Sequence, residues 1–551
     1  MDYVLQYTIY VLILSVLLGL SSFKLYQKMG YKGWEAFVPF YNYYIIQKEI
    51  GEPKWWVALA YLPIVGPIMM SVFHLFLMKK FGRTSATEQI LTVVLPFIYL
   101  AYTSYFQLNK VDRFAVEDEK AKKETFLGSI TFAVVFATVI HAFVTQPFAI
   151  PTGSMERTLL VGDFLFVNKW TYGYRMPMRP VALPFLQGTI MDTGKKGNPK
   201  DDPKSYVDAI KLPYLRIGQF KKPQKNDIVV FNYPGDSVHT AIDRKDPYVK
   251  RCVAVGGDVL EMKAGRLFIN GKPEKLMGDA EVQHSYIVYT RAEIDINYLW
   301  KNLAYLPIVD EGNTQDGLHF YQFQGLTDDL LAQIKEIPEF VKAEEVLDEK
   351  GKGQVSHVYR FDEHGEVVRD ANGVAQQSKK IDVSQSIFPI NKPWNPDWYG
   401  PLTIPKTGDV ITLTQENLPE YRKLITEYEG NTLEFKGGKF YINGTQTDKY
   451  TVKQDYYFMM GDNRDASLDA RFFGFVPETN IVGSPMFTWL SWQGVFDDGP
   501  KKIRWDRMFK ATNTGEKNKT SYWWVAAAIL ILFFGWDYFA KFFKGKKKGE
   551  E

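Results

Sequence analysis

Five apolar runs divide this chain, and each approaches the length a bilayer-spanning helix requires. They fall at about 3–23, 55–78, 90–106, 126–144 and 522–540, against the ~20 residues a spanning helix needs. One such run reads equally well as a buried core helix; five in one chain point to a membrane protein. The first lacks the marks of a cleavable leader, because Asp2 stands where a basic flank is expected and no small-x-small site follows Leu20. Pro63, Gly66 and Pro67 interrupt the second, which reads as broken or re-entrant.

Lysine and arginine in short flanking segments set orientation. Lys110, Arg113, Lys120, Lys122 and Lys123 precede the fourth run, and Lys541, Lys544, Lys546, Lys547 and Lys548 follow the fifth. Both flanks are therefore expected in the cytoplasm, with residues 145–521 on the opposite side. Lys79, Lys80 and Arg83 run against this order unless the second apolar run turns back.

Composition removes several functional classes. A net charge of +3 gives no basis for a nucleic-acid partner. Cys252 is the single cysteine, so neither an intramolecular disulfide nor a thiolate cluster is available. Seven histidines without paired metal-binding spacing argue against a metal hydrolase. No metal and no cofactor is expected.

From Gly162 onward the texture changes to short β-branched and aromatic runs bounded by turn residues, among them Phe164–Asn168, Asp227–Asn232, Leu267–Ile269, Val410–Leu413 and Phe440–Ile442. This pattern predicts a mainly β domain of many short strands. Two pieces echo each other, Gly265-Arg-Leu-Phe-Ile-Asn-Gly271 and Gly438-Lys-Phe-Tyr-Ile-Asn-Gly444, each ending a strand on Asn-Gly. Between 276 and 404 the chain is more charged, with helices predicted at Thr327–Lys335 and Glu339–Leu347. This region is expected to be an α+β insertion.

Boundaries follow from these shifts. A multi-helix membrane region is expected over 1–109, a basic cytoplasmic linker over 110–125 and a transmembrane helix over 126–145. The β domain occupies 146–275 and 405–510 around the 276–404 insertion. A linker (511–521), a C-terminal transmembrane helix (522–540) and a basic tail (541–551) complete the chain.

Three segments carry chemistry. Gln146-Pro-Phe-Ala-Ile-Pro-Thr-Gly-Ser-Met-Glu-Arg-Thr-Leu159 follows the fourth apolar run directly and places Ser154 after a glycine. Serine alone is a poor nucleophile and needs an adjacent base. No histidine has a persuasive motif around it, and His141 lies inside an apolar run. Lysine is the alternative, but only about 1 in 2,500 is neutral at pH 7 at the reference pKa. Burial lowers that pKa by disfavouring the charged form. Lys250 sits in the strand-like Tyr248-Val-Lys-Arg-Cys-Val-Ala-Val255, sharing a face with Tyr248 and Cys252 while Arg251 points the other way. An internal Lys-Arg pair reads equally as an exposed strand edge. The third segment, Gly461-Asp-Asn-Arg-Asp-Ala-Ser-Leu-Asp-Ala-Arg-Phe-Phe-Gly-Phe-Val-Pro477, by itself reads as a solvated loop.

Together these segments resemble the bacterial type I signal peptidase (leader peptidase) family, whose members are Ser/Lys peptidases. Pro151–Leu159 is similar to the family's P-S-G-S-M-x-P-T-L. Tyr248–Arg251 with Gly257-Asp258 is similar to Y-x-K-R…G-D. Gly461–Val476 is similar to G-D-N-R-D-x-S-x-D-x-R-x-x-G-x-V, and Asn226–Phe231 to G-D-x-V-V-F. The resemblance covers about 126–275 and 405–490.

The resemblance implies a membrane-anchored, all-β catalytic domain that removes N-terminal signal peptides from exported preproteins. It implies Ser154 as nucleophile, Lys250 as general base and Ser467 as the hydroxyl that orients the lysine. The Ser154 N–H and the Thr152 hydroxyl would form the oxyanion hole. Asp469 and Arg471 fall on positions of a structural ion pair, and Arg251 is expected to pair with Asp462. Pockets for small side chains at −1 and −3 of the substrate would be lined by Phe148, Ile150, Met155, Leu159, Val230, Tyr248 and Val249, with the substrate added as a strand. The implied partners are signal peptides and the lipid bilayer, with room for contact with secretion machinery. The implied site is the outer face of the bacterial cytoplasmic membrane. Gln146–Ile150, Phe472–Phe475 and Phe487–Trp492 are expected at the membrane interface, although Phe487, Trp489 and Trp492 read equally well as β-core.

Four positions depart from the family pattern. Thr152 stands for serine and keeps a hydroxyl; Arg157 stands for proline; Ala254 and Gly256 alter the run before Asp258; Ala466 stands where asparagine is common. Nucleophile, base and donors all remain, so activity is expected. Alternatives are a self-processing Ser/Lys peptidase, which would need a cleavable internal site and a DNA-binding headpiece, and a non-catalytic scaffold for exported chains, which would not need Ser154 or Lys250. A histidine-based signal peptidase of the endoplasmic reticulum type is disfavoured by lysine at position 250. The Asn-x-Thr triplets at Asn443 and Asn518 read as chance in a bacterial envelope protein.

Overall fold

The computed structural model describes residues 3–111, 126–190, 202–239, 241–277, 280–295, 308–352, 358–359, 377–378, 386–496 and 500–512, with Ser521, Trp524 and Ala527. Its contacts separate two units. The first comprises Met1–Gln146, Gly173–Gln219 and Val238–Asp246; the second comprises Pro147–Tyr172, Phe220–Ser237 and Pro247–Glu551.

In the first unit, α1 (Tyr3–Lys28) is the one described helix long and apolar enough to cross a membrane. The second apolar run is split into helices Trp56–Leu59 and Val65–Lys80, with Ile64 at a φ of 68° between them. The third run forms Ala86–Val94 and Pro96–Phe106, bent by 120°. Pro96 explains the break, since it has no N–H to continue the first helix and a φ suited to starting the next. Phe126–Phe143 is helical. The C-terminal run 522–540 and the basic segments 112–125 and 541–551 lie essentially outside the described residues. Apolar packing of this unit encloses a polar knot. Tyr61 Oη donates to Asn42 Oδ1 at 2.6 Å, Tyr26 Oη donates to the Asn42 carbonyl at 2.7 Å, and Tyr43 Oη lies 3.1 Å from His74 Nε2.

The second unit is built on an antiparallel sheet. Its site-bearing strands are β1 (Asp163–Asn168), β2 (Ile228–Asn232), β3 (Pro247–Val255), β4 (Tyr456–Met460), β5 (Val476–Pro477) and β6 (Ile481–Gln493), in spatial order β1-β6-β2-β3-β4-β5. Every residue of β2 and β4 is buried, whereas β1 alternates buried and half-buried. Central strands covered on both faces read as continuous apolar runs, and half-covered strands alternate. The larger core gathers Val229, Phe231, Cys252, Leu260, Phe458 and Val476. Fully burying one such side chain contributes about 1.5–3 kcal/mol. A bulge at Val253 lies between Cys252, opposite Met459, and Ala254, opposite Phe458. Bulges of this kind bend the strand and re-aim its side chains.

The two echoing segments occupy equivalent places in two three-strand meanders. One is Val259–Lys263, Arg266–Ile269 and Lys272–Pro273; the other is Leu433–Lys436, Lys439–Ile442 and Thr445–Gln446. In each, an Asn-Gly pair takes positive φ at both residues, 53° and 74° at Asn270-Gly271 and 52° and 78° at Asn443-Gly444. That is the requirement of the tight hairpin turn Asn-Gly favours.

The insertion carries a sheet ordered Ile308–Asn313, His319–Leu326, His284–Thr290, Phe340–Glu345. Helix Asp328–Lys335 follows the cap Thr327, whose Oγ1 accepts from Leu330 N at 3.2 Å. The helix expected at Glu339–Leu347 is instead this last strand. It pairs with His284–Thr290 through Tyr286 opposite Glu345 and Val288 opposite Ala343. Local helix propensity yields here to an available sheet edge.

A second correction concerns the aromatics. Phe473 and Phe475 belong to the main core, with 4% and 2% of their surface exposed, so this part of Phe472–Phe475 does not face an interface. Phe487 and Trp489 sit half-buried on β6, 5.5 and 5.8 Å from Phe166 of β1 by ring centroid.

Candidate active site

The Gly153–Met155 turn sets Ser154 between two fixed points. Upstream, Ile150 N donates to the Asp163 carbonyl at 2.9 Å, and downstream Leu159 N donates to the Met155 carbonyl at 2.7 Å. Met155 and Leu159 are fully buried and pack with Ile150, Leu165, Ile228 and Val249. The turn is thus held by its apolar flanks, while Ser154 keeps 9% of its surface exposed.

Lys250 comes from the centre of β3, opposite Val229 of β2. It is 4% exposed, and its Nζ lies 2.6 Å from Ser154 Oγ. As an ammonium it donates to the serine; as a neutral amine it accepts the serine proton across the same distance. Burial pushes its pKa down from 10.5 to about 8, opposed by Asp469 and Asp462 and aided by Arg471. At pH 7 a pKa of about 8 leaves roughly one lysine in ten neutral, against about 1 in 2,500 for a free side chain. The arrangement therefore brings a hydroxyl and an amine that can be neutral into contact, which is what nucleophilic attack with a general base requires.

Two buried ion pairs flank the dyad. Asp462 accepts from Arg251 Nε at 2.7 Å and Nη2 at 2.6 Å, and from Thr158 Oγ1 at 2.6 Å. Arg251 also donates from Nη1 to the Asn226 carbonyl at 2.9 Å. Asp469 accepts from Arg471 Nε and Nη2, both at 2.9 Å, and from Gly461 N at 3.1 Å. Burial opposes the charge of Asp469, but the Arg471 guanidinium and the Gly461 N–H hold its carboxyl below the usual range. Multiple hydrogen bonds to each carboxylate offset much of the cost of burying these charges, so the pairs can order the loop.

The Gly461–Ser467 loop touches the Ser154 turn directly. Asn463 N donates to the Ser154 carbonyl at 3.2 Å, and Asn463 Nδ2 donates to the Gly153 carbonyl at 3.3 Å. Gly461 is required by space: a Cβ there would lie 2.2 Å from Ser467 Oγ and 2.4 Å from the Ser154 carbonyl. Ser467 is buried beside it, yet among the described residues its Oγ has no hydrogen-bond partner, so the expected bond to Lys250 is not made. Thr152 is exposed, in an extended conformation two residues before Ser154.

The expected pocket residues divide between two clusters. Ile150, Met155, Leu159 and Val249 pack together, and Val230 lies directly across the sheet from Val249. Tyr248 instead packs in the larger core, stacked on Tyr233 at 4.5 Å, with Lys250 Nζ 5.5 Å from its ring centroid. Phe148 is half-buried on the strand Thr145–Ala149.

Three further residues emerge only in three dimensions. Thr158 and Asn463 lie inside the motifs, but nothing in their spacing marks their bonds to Asp462 and to residues 153–154. Gln283 sits in the insertion, where the sequence carries no signal at all. Arg157 adopts a φ of 70°, a conformation proline cannot reach. Glu156, two residues after Ser154, is buried, and burial pushes its pKa up to about 7.

The sequence has known relatives. The family model described as signal peptidase, peptidase S26, matches residues 123–327 and 444–492. Residues 34–110 match a separate family of unknown function, DUF5684. The chain is 26% identical to signal peptidase I of Haemophilus influenzae over 423 residues, covering 72% of this chain and 79% of the relative. It is 23% identical to signal peptidase I of Helicobacter pylori over 401 residues, covering 71% and 94%. With signal peptidase I of Pseudomonas fluorescens the identity is 35% over 171 residues, covering 30% and 46%.

Proposed function

The chain belongs to the signal peptidase family, peptidase S26, and on that premise we propose that it removes N-terminal signal peptides from exported preproteins with Ser154 as nucleophile and Lys250 as general base. The observation that carries the reading is the 2.6 Å approach of Lys250 Nζ to Ser154 Oγ in a buried setting.

In this mechanism neutral Lys250 takes the proton of Ser154 Oγ as the oxygen attacks the scissile carbonyl. The tetrahedral oxyanion is received by the Ser154 N–H and the Thr152 hydroxyl, donors of a kind typically worth about 2.7–4 kcal/mol in the transition state. Collapse gives an ester at Ser154, and Lys250 returns its proton to the departing amine. Water, deprotonated by the same lysine, then releases the signal peptide. Ser467 makes no bond to Lys250 in this arrangement, so the orienting role would require its hydroxyl, buried and without a partner among the described residues, to turn toward the amine during the reaction. The pairs Arg251–Asp462 and Asp469–Arg471 keep the loop in register. On this reading small substrate residues at −1 and −3 would be received on the side of the site backed by the apolar cluster of Ile150, Met155, Leu159 and Val249.

The enzyme is membrane-anchored, with α1 as the apolar helix that supports this. The reading places the β domain at the outer face of the bacterial cytoplasmic membrane. Phe487, Trp489 and the 42%-exposed Trp492 on β6 would meet the lipid interface, where amphipathic rings are favoured. The test is cleavage of an Ala-x-Ala signal-peptide substrate in detergent by the full-length chain, Ser154→Ala and Lys250→Ala. Cleavage by the wild type alone supports the reading. Undiminished cleavage by both variants removes it.

A further inference from the structure

The loop that carries Asn463 is gripped from the side opposite Ser154. Gln283 N donates to the Asp462 carbonyl at 2.9 Å, and Arg464 N donates to the Gln283 carbonyl at 3.1 Å. These two bonds form a parallel bridge between Gln283 and Asn463. Asn463, which donates from backbone and side chain to residues 154 and 153, is therefore bracketed by one residue of the insertion.

Gln283 is itself fixed. It is 1% exposed, and its Nε2 donates at 3.1 Å to the carbonyl of Gly325 in the strand His319–Leu326. Two residues on, Ser285 N donates to Asp465 Oδ2 at 2.5 Å. Behind these contacts the insertion has its own apolar core, with Val288, Phe323 and Ile334 fully buried. Gly325 lets the two elements close up, since a Cβ there would sit 3.0 Å from Asn463 Nδ2. The inserted sheet is thus a rigid backing for the loop.

We propose that Gln283 is a positioning residue for the reaction: through its amide bond to Gly325 it holds Asn463, and through Asn463 it holds the carbonyl of Ser154 and the path of the nucleophile. The proposal rests on Ser154 acting as nucleophile. A bland account exists, in which Gln283 merely ties the insertion to the β domain. The two differ in consequence. A tie contributes to folding alone, whereas a positioning residue controls a geometry in which a 1 Å displacement costs about 10²-fold in rate.

Gln283→Met keeps the volume and removes the amide. Tested in the full-length protein in detergent, beside wild type and Ser154→Ala, it is expected to lower kcat per titrated active site by about 10–100-fold with KM within about twofold. The ascending limb of the pH profile is expected to move to higher pH. Slackening the Asp462–Arg464 segment admits water to Lys250, whose charged neighbours are Asp462, Asp469 and Arg471. Unchanged kcat per active site, or a loss explained wholly by fewer folded molecules with the limb unmoved, overturns the proposal. If Gln283→Met does not fold, Asp465→Asn takes its place. It weakens the Ser285 anchor at constant size and is expected to move the limb the same way; an unmoved limb and unchanged kcat overturn the proposal there too. A folded wild type that fails to cleave would instead remove the functional reading on which this rests.

Discussion

Lys250 Nζ and Ser154 Oγ approach to 2.6 Å although 96 positions separate them in the chain. The lysine has been brought out of water by β2 and β4 on either side of its strand, and the serine is carried to it on a turn whose apolar flanks are buried. Neither residue is unusual in its own segment. Their contact is what the proposed chemistry rests on.

Removing either partner should abolish turnover while leaving the fold. Ser154→Ala and Lys250→Met are expected to lower kcat/KM for an Ala-x-Ala peptide by at least about 10³-fold, since dyad members act as a unit. Thermal unfolding by circular dichroism should remain cooperative in both variants.

The pH dependence has a definite sign. The base must be neutral, so kcat/KM rises with pH through a limb centred at about 8, the value to which burial lowers Lys250. Glu156, raised by burial to about 7, titrates below it, and Glu156→Gln should leave the upper limb in place. Stability follows the same group. Between about pH 8 and 10.5 the unfolded chain still holds the proton the folded lysine has released, so stability rises with pH across that window. Urea unfolding of Lys250→Met should lack that slope.

Breaking the Arg251–Asp462 pair should cost more than the pair itself contributes. Asp462→Ala leaves a 3%-exposed guanidinium short of its carboxylate, a loss of about 3–5 kcal/mol. Replacing both residues, as Arg251→Met with Asp462→Leu, should recover much of it. Denaturant midpoints of the two single variants and the double variant measure this directly.

Gly461→Ala should impair catalysis without touching a reacting group. Its Cβ would meet both Ser467 Oγ and the Ser154 carbonyl, so the loop must shift. A fall in kcat of about 10–100-fold with little change in KM is expected from a displacement near 1 Å. Ser467→Ala, which deletes a hydroxyl without a partner among the described residues, should lower kcat while leaving the melting temperature unchanged.

Restoring the family's proline at position 157 should be harmful here. Arg157 sits at a φ of 70°, and proline is confined near −65°. Arg157→Pro is expected to lower both melting temperature and activity, whereas Arg157→Gly should be tolerated, because glycine accepts positive φ without strain.

The sequence alone determined the elements whose cause is local or periodic. Asn270-Gly271 and Asn443-Gly444 announced their hairpins because few other residue pairs adopt those angles. Phe164–Asn168 was marked as a strand by its β-branched and aromatic residues, while its half-covered face and the break of the 90–106 run at Pro96 became visible only in the fold. The motifs named Ser154, Lys250 and Ser467 through resemblance. What only the tertiary structure decided depends on partners distant in the chain. Phe340–Glu345 became a strand because His284–Thr290 offered it an edge, and Phe473 and Phe475 went to the core because β strands enclosed them. The lowered pKa of Lys250 exists only once burial has removed its water. Gln283 acquired its place beside Asn463 only when the insertion folded back, since hydrogen bonds between main chains leave no mark on side-chain sequence.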